Sequence, residues 1–226
     1  AASGIEPMAA GGDYEWEENT DGTVTITGYT GSDTDITIPS EIDGKTVTVI
    51  GDNALHDKSL TGVVIPNTVT KIGFQAFSNN NLVSVIIPNS VAAIENNAFR
   101  SNDLNNITIS ESVESIGWWA FSNNPLETIQ VHPNNQHFKD INQKGLYTND
   151  GKTIIQGTVS GEIANGTETI GRYAFYQLDL NEVTIPNSVT TINTNAFSRN
   201  NLTTIDIPNS VTSFASDAFH YNNLTK

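Results

Sequence analysis

The side chains able to do chemistry are few and scattered. The four histidines are His56, His132, His137 and His220. A helical zinc pair needs two histidines at i and i+4 on one face. His132 and His137 are five apart in a Pro/Asn-rich segment, so they read as surface-loop residues and no metal site is expected. There is no cysteine, hence no thiolate ligand, no thiol nucleophile and no disulfide. Serines recur within repeated SNN and PNS triplets, and no G-x-S-x-G nucleophile elbow is present. The acidic pairs Glu17-Glu18 and Asp13/Glu15 share one N-terminal stretch, and nothing among the 25 acids selects two for glycoside hydrolysis. The residues therefore point to no catalytic group and no cofactor. Asn-X-Thr triplets at Asn106, Asn165, Asn201 and Asn223 match an N-glycosylation pattern, but the NLT copies arise from repetition.

Recognition chemistry is better represented. Phe74, Trp118, Trp119 and Tyr173 stand just before Ala-Phe pairs, where other copies carry Asn96-Asn97, Thr194-Asn195 or Ser216-Asp217. Exposed aromatics at such positions anchor a protein partner or stack on sugar rings. The competing reading packs them beneath an inserted hairpin or a neighbouring side chain. A second column, one residue before a strand-ending apolar position, reads Thr37, Val64, Ile86, Thr108, Gln130, Glu162, Thr184 and Asp206. Its apolar pair Val64/Ile86 and its polar remainder, Thr108 and Gln130 included, suit a partner groove with an apolar anchor. The competing reading is a solvated sheet face on which Thr and Ile favour strand structure.

These columns exist because the chain repeats. Near-identical copies begin at Leu60, Leu82, Leu104, Leu180 and Leu202, in steps of 22 residues within each block. Such a period denotes stacked coils, each too small to bury its own apolar face. The strand-ending position runs Ile38, Ile65, Ile87, Ile109, Val131, Ile163, Ile185, Ile207, which makes eight coils. In LTTIDI, Leu202, Ile205 and Ile207 should face inward, with Thr204 and Asp206 outward. Val211 and Phe214 form a second apolar pair on the return path, and Asp217-Ala218-Phe219 is expected to be a helical or 3₁₀ turn. The fifth coil carries about ten extra residues, and Asn149-Asp150-Gly151 signals a hairpin there. Asn80, Asn102, Asn124, Asn200 and Asn222 recur in the turn before each strand and are expected to form a buried hydrogen-bond ladder, broken at Leu178.

The pattern LxxIxIPxxVxxIxxxAF resembles that of the BspA-like leucine-rich repeats, over about residues 35–226. The turn cysteine usual in that family is replaced by asparagine. Ser110, His132 and Ala164 stand where three copies would carry proline. The resemblance implies an α/β, β-rich, right-handed leucine-rich-repeat solenoid (a horseshoe) with a parallel sheet of about eight strands. Residues 13–34 would be a β-rich cap and 139–160 a hairpin insertion. It also implies a bacterial cell-surface or extracellular protein, non-catalytic, adhering to protein or glycan on a cell or matrix surface. The alternatives are a carbohydrate-binding or substrate-targeting module of a secreted polysaccharide-degrading enzyme, and a structural spacer.

Composition narrows the partners. Ten Lys+Arg face 25 Asp+Glu, a net charge of −15. That argues against nucleic acid, whose phosphates must be met by cations. No apolar run approaches a membrane-spanning length, so no membrane insertion is expected. Residues 1–12 are small, Gly-rich and unpatterned, and read as a disordered leader or post-signal stub. The last coil, left open, would allow end-to-end self-association.

Overall fold

The computed structural model describes residues 12–225. Of the expected leader at 1–12, all but Gly12 lies outside the described residues. The rest is a β-solenoid of stacked coils without a helix. Antiparallel strands Tyr14–Glu18 and Val24–Tyr29 open the array. Val24–Tyr29 then pairs in parallel with Lys45–Ile50, which leads on to Lys71–Ile72, Ala93–Ile94 and Ser115–Ile116. A second ladder of the same kind runs through Thr153–Gly157, Thr169–Ile170, Thr191–Ile192 and Ser213–Phe214.

Two expectations are corrected. The single sheet of about eight strands along the Ile-Pro column is replaced by ladders on two sides of the coil. The Ile-Pro side pairs only piecewise: Asp35–Thr37 with Gly62–Val64, Ile86 with Thr108, and Asn106–Ile109 with Thr128–Val131. Proline follows at once in most copies, and without an N–H it ends each ladder. The return path, expected to hold only an apolar pair, carries the longer ladders. There the chain continues into bonds such as Gly73 N–H to Ile50 O at 2.8 Å and Gly117 N–H to Ile94 O at 2.7 Å.

The expected helical turns before Ala-Phe are the second correction. Their N–H groups alternate between two destinations. Ala76 N–H closes a turn onto Gly73 O, while Gln75 and Phe77 N–H reach the next coil, at Asn96 O and Ala98 O. Half the donors a helix would use internally are thus spent between coils. The residue before each Ala is also left-handed, with φ of 53° to 60° at Gln75, Asn97, Trp119, Tyr173, Asn195 and Asp217. No α-helix continues through that conformation.

Stacking follows from the repeated apolar positions. Phe77, Phe99 and Phe121 are buried with rings nearly parallel, centroids 5.1 and 5.6 Å apart. Buried Phe175 and Phe197 and half-buried Phe219 stack likewise at 5.0 Å. A fully buried Phe contributes roughly 1.5–3 kcal/mol. Leu55 heads the column: Leu55 N–H bonds Ala76 O just as Phe77 N–H bonds Ala98 O, both at 2.8 Å. On the last coil, Leu202 is buried as expected, but Ile205 is half-buried and Ile207 and Phe214 are exposed, since no described coil covers that side.

The asparagine ladder holds the opposite corner. Asn102 Nδ2 donates to Phe77 O (2.9 Å) and Phe99 O (3.1 Å), while its Oδ1 accepts from Leu82 N–H (3.1 Å). Asn124 repeats the set one coil on, bonding Phe99 O, Phe121 O and Leu104 N–H. Asn80, Asn200 and Asn222 do likewise. Each amide thus ties its own coil to the preceding one: its Oδ1 meets a leucine N–H that would otherwise be buried without a partner, and its Nδ2 bonds two carbonyls, as at Phe77 O and Phe99 O, which adjacent asparagines share. Leu178 interrupts the column, though its N–H still reaches Asn200 Oδ1 at 3.1 Å.

The fifth coil departs from the period. Phe138–Asp140, Gly145–Thr148 and Thr153–Gly157 form an antiparallel insertion. At its tip Asp150 accepts from Lys152 N–H and the Thr148 hydroxyl, which hold its carboxyl below the usual carboxylate range. Asn135 pins the insertion's start through Ser110 O and Val113 O. The coil then rejoins the array without a full turn. Gly157 N–H bonds Ala174 O at 2.7 Å only three residues after Ile154, and a Cβ there would sit 2.1 Å from the Phe175 ring.

Asn102→Ala orphans the buried Leu82 N–H and removes one of two donors from each of two carbonyls. A loss of about 1–3 kcal/mol is expected in a urea melt, with an unchanged midpoint refuting the ladder's role. The N-terminal strand pair carries a second prediction. The Tyr14 hydroxyl donates to Thr37 O, and burial, then the neighbouring Tyr29 and Asp13, push its pKa from 10.0 to about 12. The unfolded chain ionises first, so this contribution is intact below pH 10 and is lost as pH rises toward 12. Tyr14→Phe should flatten the fall in urea midpoint over that range.

Candidate functional site

Two surfaces gather the residues singled out above. The first is the Ile-Pro side. Strand alternation buries Ile36, Ile65, Ile87, Ile107 and Ile129 and turns the residues between them outward. Parallel register aligns Thr37 with Val64, Ile86 with Thr108, and Thr108 with Gln130. Thr37, Val64, Ile86, Thr108 and Gln130 are all exposed. Ile86 is 82% exposed and Val64 56%, and Val83 beside them is also exposed. A β-branched aliphatic on a strand costs nothing locally, but so open a pair leaves apolar surface in water without return. Farther along, the column continues as exposed Glu162, Thr184 and Asp206, which lie outside the strands.

The second surface is the ridge of turns before Ala-Phe. The structure separates its aromatics. Phe74 is exposed, at 38%, two coils from Trp118, its N–H held by Asp52 Oδ1 at 2.8 Å. Trp118 is 59% exposed, with its N–H bonded to Asn96 Oδ1 and the Arg172 guanidinium 5.2 Å from its ring centroid. Trp119 is half-buried. Its ring meets Tyr173 at a centroid distance of 4.0 Å, and Arg100 lies 5.7 Å from it. Tyr173 in turn meets Tyr176 edge-on. The two tryptophans are therefore not one platform: Trp118 faces solvent, and Trp119 bridges to Tyr173 across the gap left by the shortened fifth coil. Sequence reasoning missed Arg100, Arg172, Tyr176 and Ser122, which complete this neighbourhood. It also missed the left-handed backbone, whose signal was the Asn/Asp bias of the position before Ala.

The histidines stay apart. His56 bonds Ser78 Oγ, while His132 and His220 each lie near one carboxylate. No group of three or more His, Asp or Glu suited to a metal occurs among the described residues. No helix among them is long and apolar enough to cross a membrane.

Comparison with known proteins locates the chain. The sequence profile described as BspA type leucine rich repeat region matches in six copies, over residues 29–147 and 158–226. No curated protein matches. Among solved structures, a leucine rich cell surface protein from Faecalibacterium prausnitzii is 24% identical, with a TM-score of 0.57, over 92% of this chain and 84% of that one. The pneumococcal vaccine antigen PcpA is 17% identical with a TM-score of 0.58, over 94% of this chain and 78% of that one. A leucine-rich repeat protein from Bacteroides capillosus is 32% identical with a TM-score of 0.50, over 56% of this chain and 99% of that one.

The split between the tryptophans is testable by fluorescence. With Trp16 and Trp119 replaced by Phe, the remaining Trp118 should emit to the red and be readily quenched by acrylamide. With Trp16 and Trp118 replaced, Trp119 should emit to the blue and resist quenching. Equal quenching of the two would contradict the geometry.

Proposed function

The chain belongs to the BspA-type leucine-rich repeat family, a non-catalytic repeat family, and from that premise we propose that it is an extracellular recognition module of a bacterial surface protein that binds a protein partner. The observation that carries this reading is the exposure of Val64 and Ile86 at equivalent positions of successive coils, Val64 on the strand paired with Asp35–Thr37 and Ile86 bridged to Thr108, with Gln130 next in register. A preformed β surface orders no new backbone on binding, so little conformational entropy opposes association. A small apolar centre with a polar rim is the anatomy of non-obligate protein interfaces. The net charge of −15 adds selectivity, since it repels acidic partners and draws basic ones over a Debye length. Surface location is supported by the descriptions of similar structures as a cell surface protein and a vaccine antigen.

The test is binding of the purified chain to immobilised host matrix proteins by biolayer interferometry. Ile86→Asp should weaken binding by at least about tenfold, and Val64→Asp with Ile86→Asp should abolish it, because truncated anchors at an interface centre cost about 2 kcal/mol or more. Both positions are exposed, so the thermal melt should stay unchanged. Binding that survives the double substitution would overturn the reading.

A further inference from the structure

Along the return path most coils pair with the coil before and the coil after. The fifth coil is instead divided between its neighbours. Its first half, Thr128–Val131, pairs with Asn106–Ile109 of the fourth coil and with no later strand among the described residues. Its second half, Thr153–Gly157, pairs in parallel with Thr169–Ile170 of the sixth coil. On that side the fourth coil's Ser115–Ile116 pairs back with Ala93–Ile94 and, among the described residues, with no later strand. We propose that this diagonal seam makes the fifth coil a joint, so that the solenoid folds and opens as two units, 12–135 and 138–225.

Most of the other repeating contacts lapse at the same place. In the ridge of turns, Asn97 and Phe99 N–H bond Trp118 O and Ala120 O, but Trp119 and Phe121 N–H bond no later coil among the described residues. The ridge resumes with Gly157 N–H on Ala174 O at 2.7 Å. The phenylalanine stack runs as far as Phe121 and starts afresh at Phe175. The asparagine column lapses at Thr158 and Leu178. The apolar core divides too: Ile129, in the first half of the fifth coil, belongs to one cluster and Ile154, in the second half, to the other.

The contacts that span the seam are of a different kind. Phe138 and Leu146 of the insertion are buried in the first cluster. Ile129 N–H donates to Gln143 O at 2.9 Å, and Val131 N–H to Asp140 Oδ2 at 2.8 Å. The rings of Trp119 and Tyr173 meet across the ridge. One repeating bond survives, Val159 N–H to Leu126 O at 2.8 Å, as Asp103 N–H bonds Leu82 O two coils earlier. Apart from that bond, these contacts dock one body against another without continuing a ladder.

The stability of a stacked array is approximately a sum of terms within each coil and between nearest neighbours. Cooperative opening therefore stops at the interface where the neighbour terms lapse together. Each unit keeps an apolar cluster of its own. Each also keeps its own corner amides, Asn80, Asn102 and Asn124 in the first and Asn200 and Asn222 in the second. One unit can thus stay folded while the other opens. Val64 and Ile86 both lie in the first unit, so opening of the second leaves that surface assembled.

The test is hydrogen exchange of the whole chain, read by mass spectrometry. In alkaline buffer, where opening limits exchange, peptides from 12–135 should exchange together at one rate and those from 138–225 at another. Near neutral pH, where exchange reports the opening equilibrium, Asn102→Ala and Asn200→Ala remove corresponding bonds from the two units. At least one of them should speed exchange by about fivefold or more across its own unit and leave the other unit unchanged. A single opening rate for the whole chain, or both substitutions speeding exchange throughout it, would show one cooperative body. Acceleration confined to the coils beside each lost amide would show coils opening singly. Any of these results overturns the proposal.

Discussion

The amide of one buried asparagine per coil is the interaction on which this architecture rests. A 22-residue coil must reverse direction repeatedly, and at each reversal backbone groups are sealed from water. In a helix or a long strand the chain's own periodicity satisfies them. Here the coil is too short for either, and a side chain with two donors and an acceptor does it instead. Asn102 and Asn124 both donate to Phe99 O, and each accepts from a leucine N–H of the preceding coil. The amide therefore fixes the distance between coils as well as the path within each one. Cysteine in the related pattern offers only weak hydrogen bonding, so this chain's asparagine column is a more polar solution to the same corner.

That constraint explains where the structure can depart from its repeat. The column lacks asparagine in two successive coils, at Thr158 and Leu178, the first of them directly after the shortened turn. Thr158 is fully buried and its hydroxyl is turned to Lys144 O in the insertion. The antiparallel strands of the insertion and the buried Tyr147, whose hydroxyl accepts from Ala164 N–H at 3.0 Å, replace what the missing amide would do. The core divides at the same point, with Leu146 at the end of one apolar cluster and Tyr147 at the start of the next. Loss of the period on one edge and the notch between Trp119 and Tyr173 on another are two consequences of one local rearrangement.

Repetition made the architecture legible in the sequence and hid its details. The 22-residue step, the inward Leu, Ile, Val and Phe columns and the asparagine ladder could be read directly, because each is a periodic demand of burial. The choice of which side carries the longer ladder could not. It depends on proline removing an N–H just after each Ile-Pro strand, a competition between two β-prone segments that periodicity alone does not rank. The helix expected before Ala-Phe failed for a related reason. Ala and Phe suit a helical turn locally, but inter-coil bonds capture alternate N–H groups, and tertiary context overrides propensity. For the candidate site, exposure of Ile86 and Trp118 followed from breaks in polar columns. The partnership of Trp119 with Tyr173 spans 54 residues and skips a coil, so no column contains it.

Where function can sit on such a scaffold follows from the same reasoning. Positions that every coil repeats are occupied by the needs of stacking, and a change there costs stability. Only positions facing outward, or displaced by the shortened coil, are free to vary in chemistry. On the Ile-Pro side that freedom is used to place aliphatic side chains where threonine would suffice. At the gap in the turn ridge it is used to place Trp118 beside Arg172 and Trp119 against Tyr173. Neither departure improves the coil that carries it: Ile86 leaves apolar surface in water, and Trp119 holds a bulky residue in a strained backbone conformation. Features that oppose folding and persist in an otherwise regular repeat are best accounted for by what they contact outside the chain.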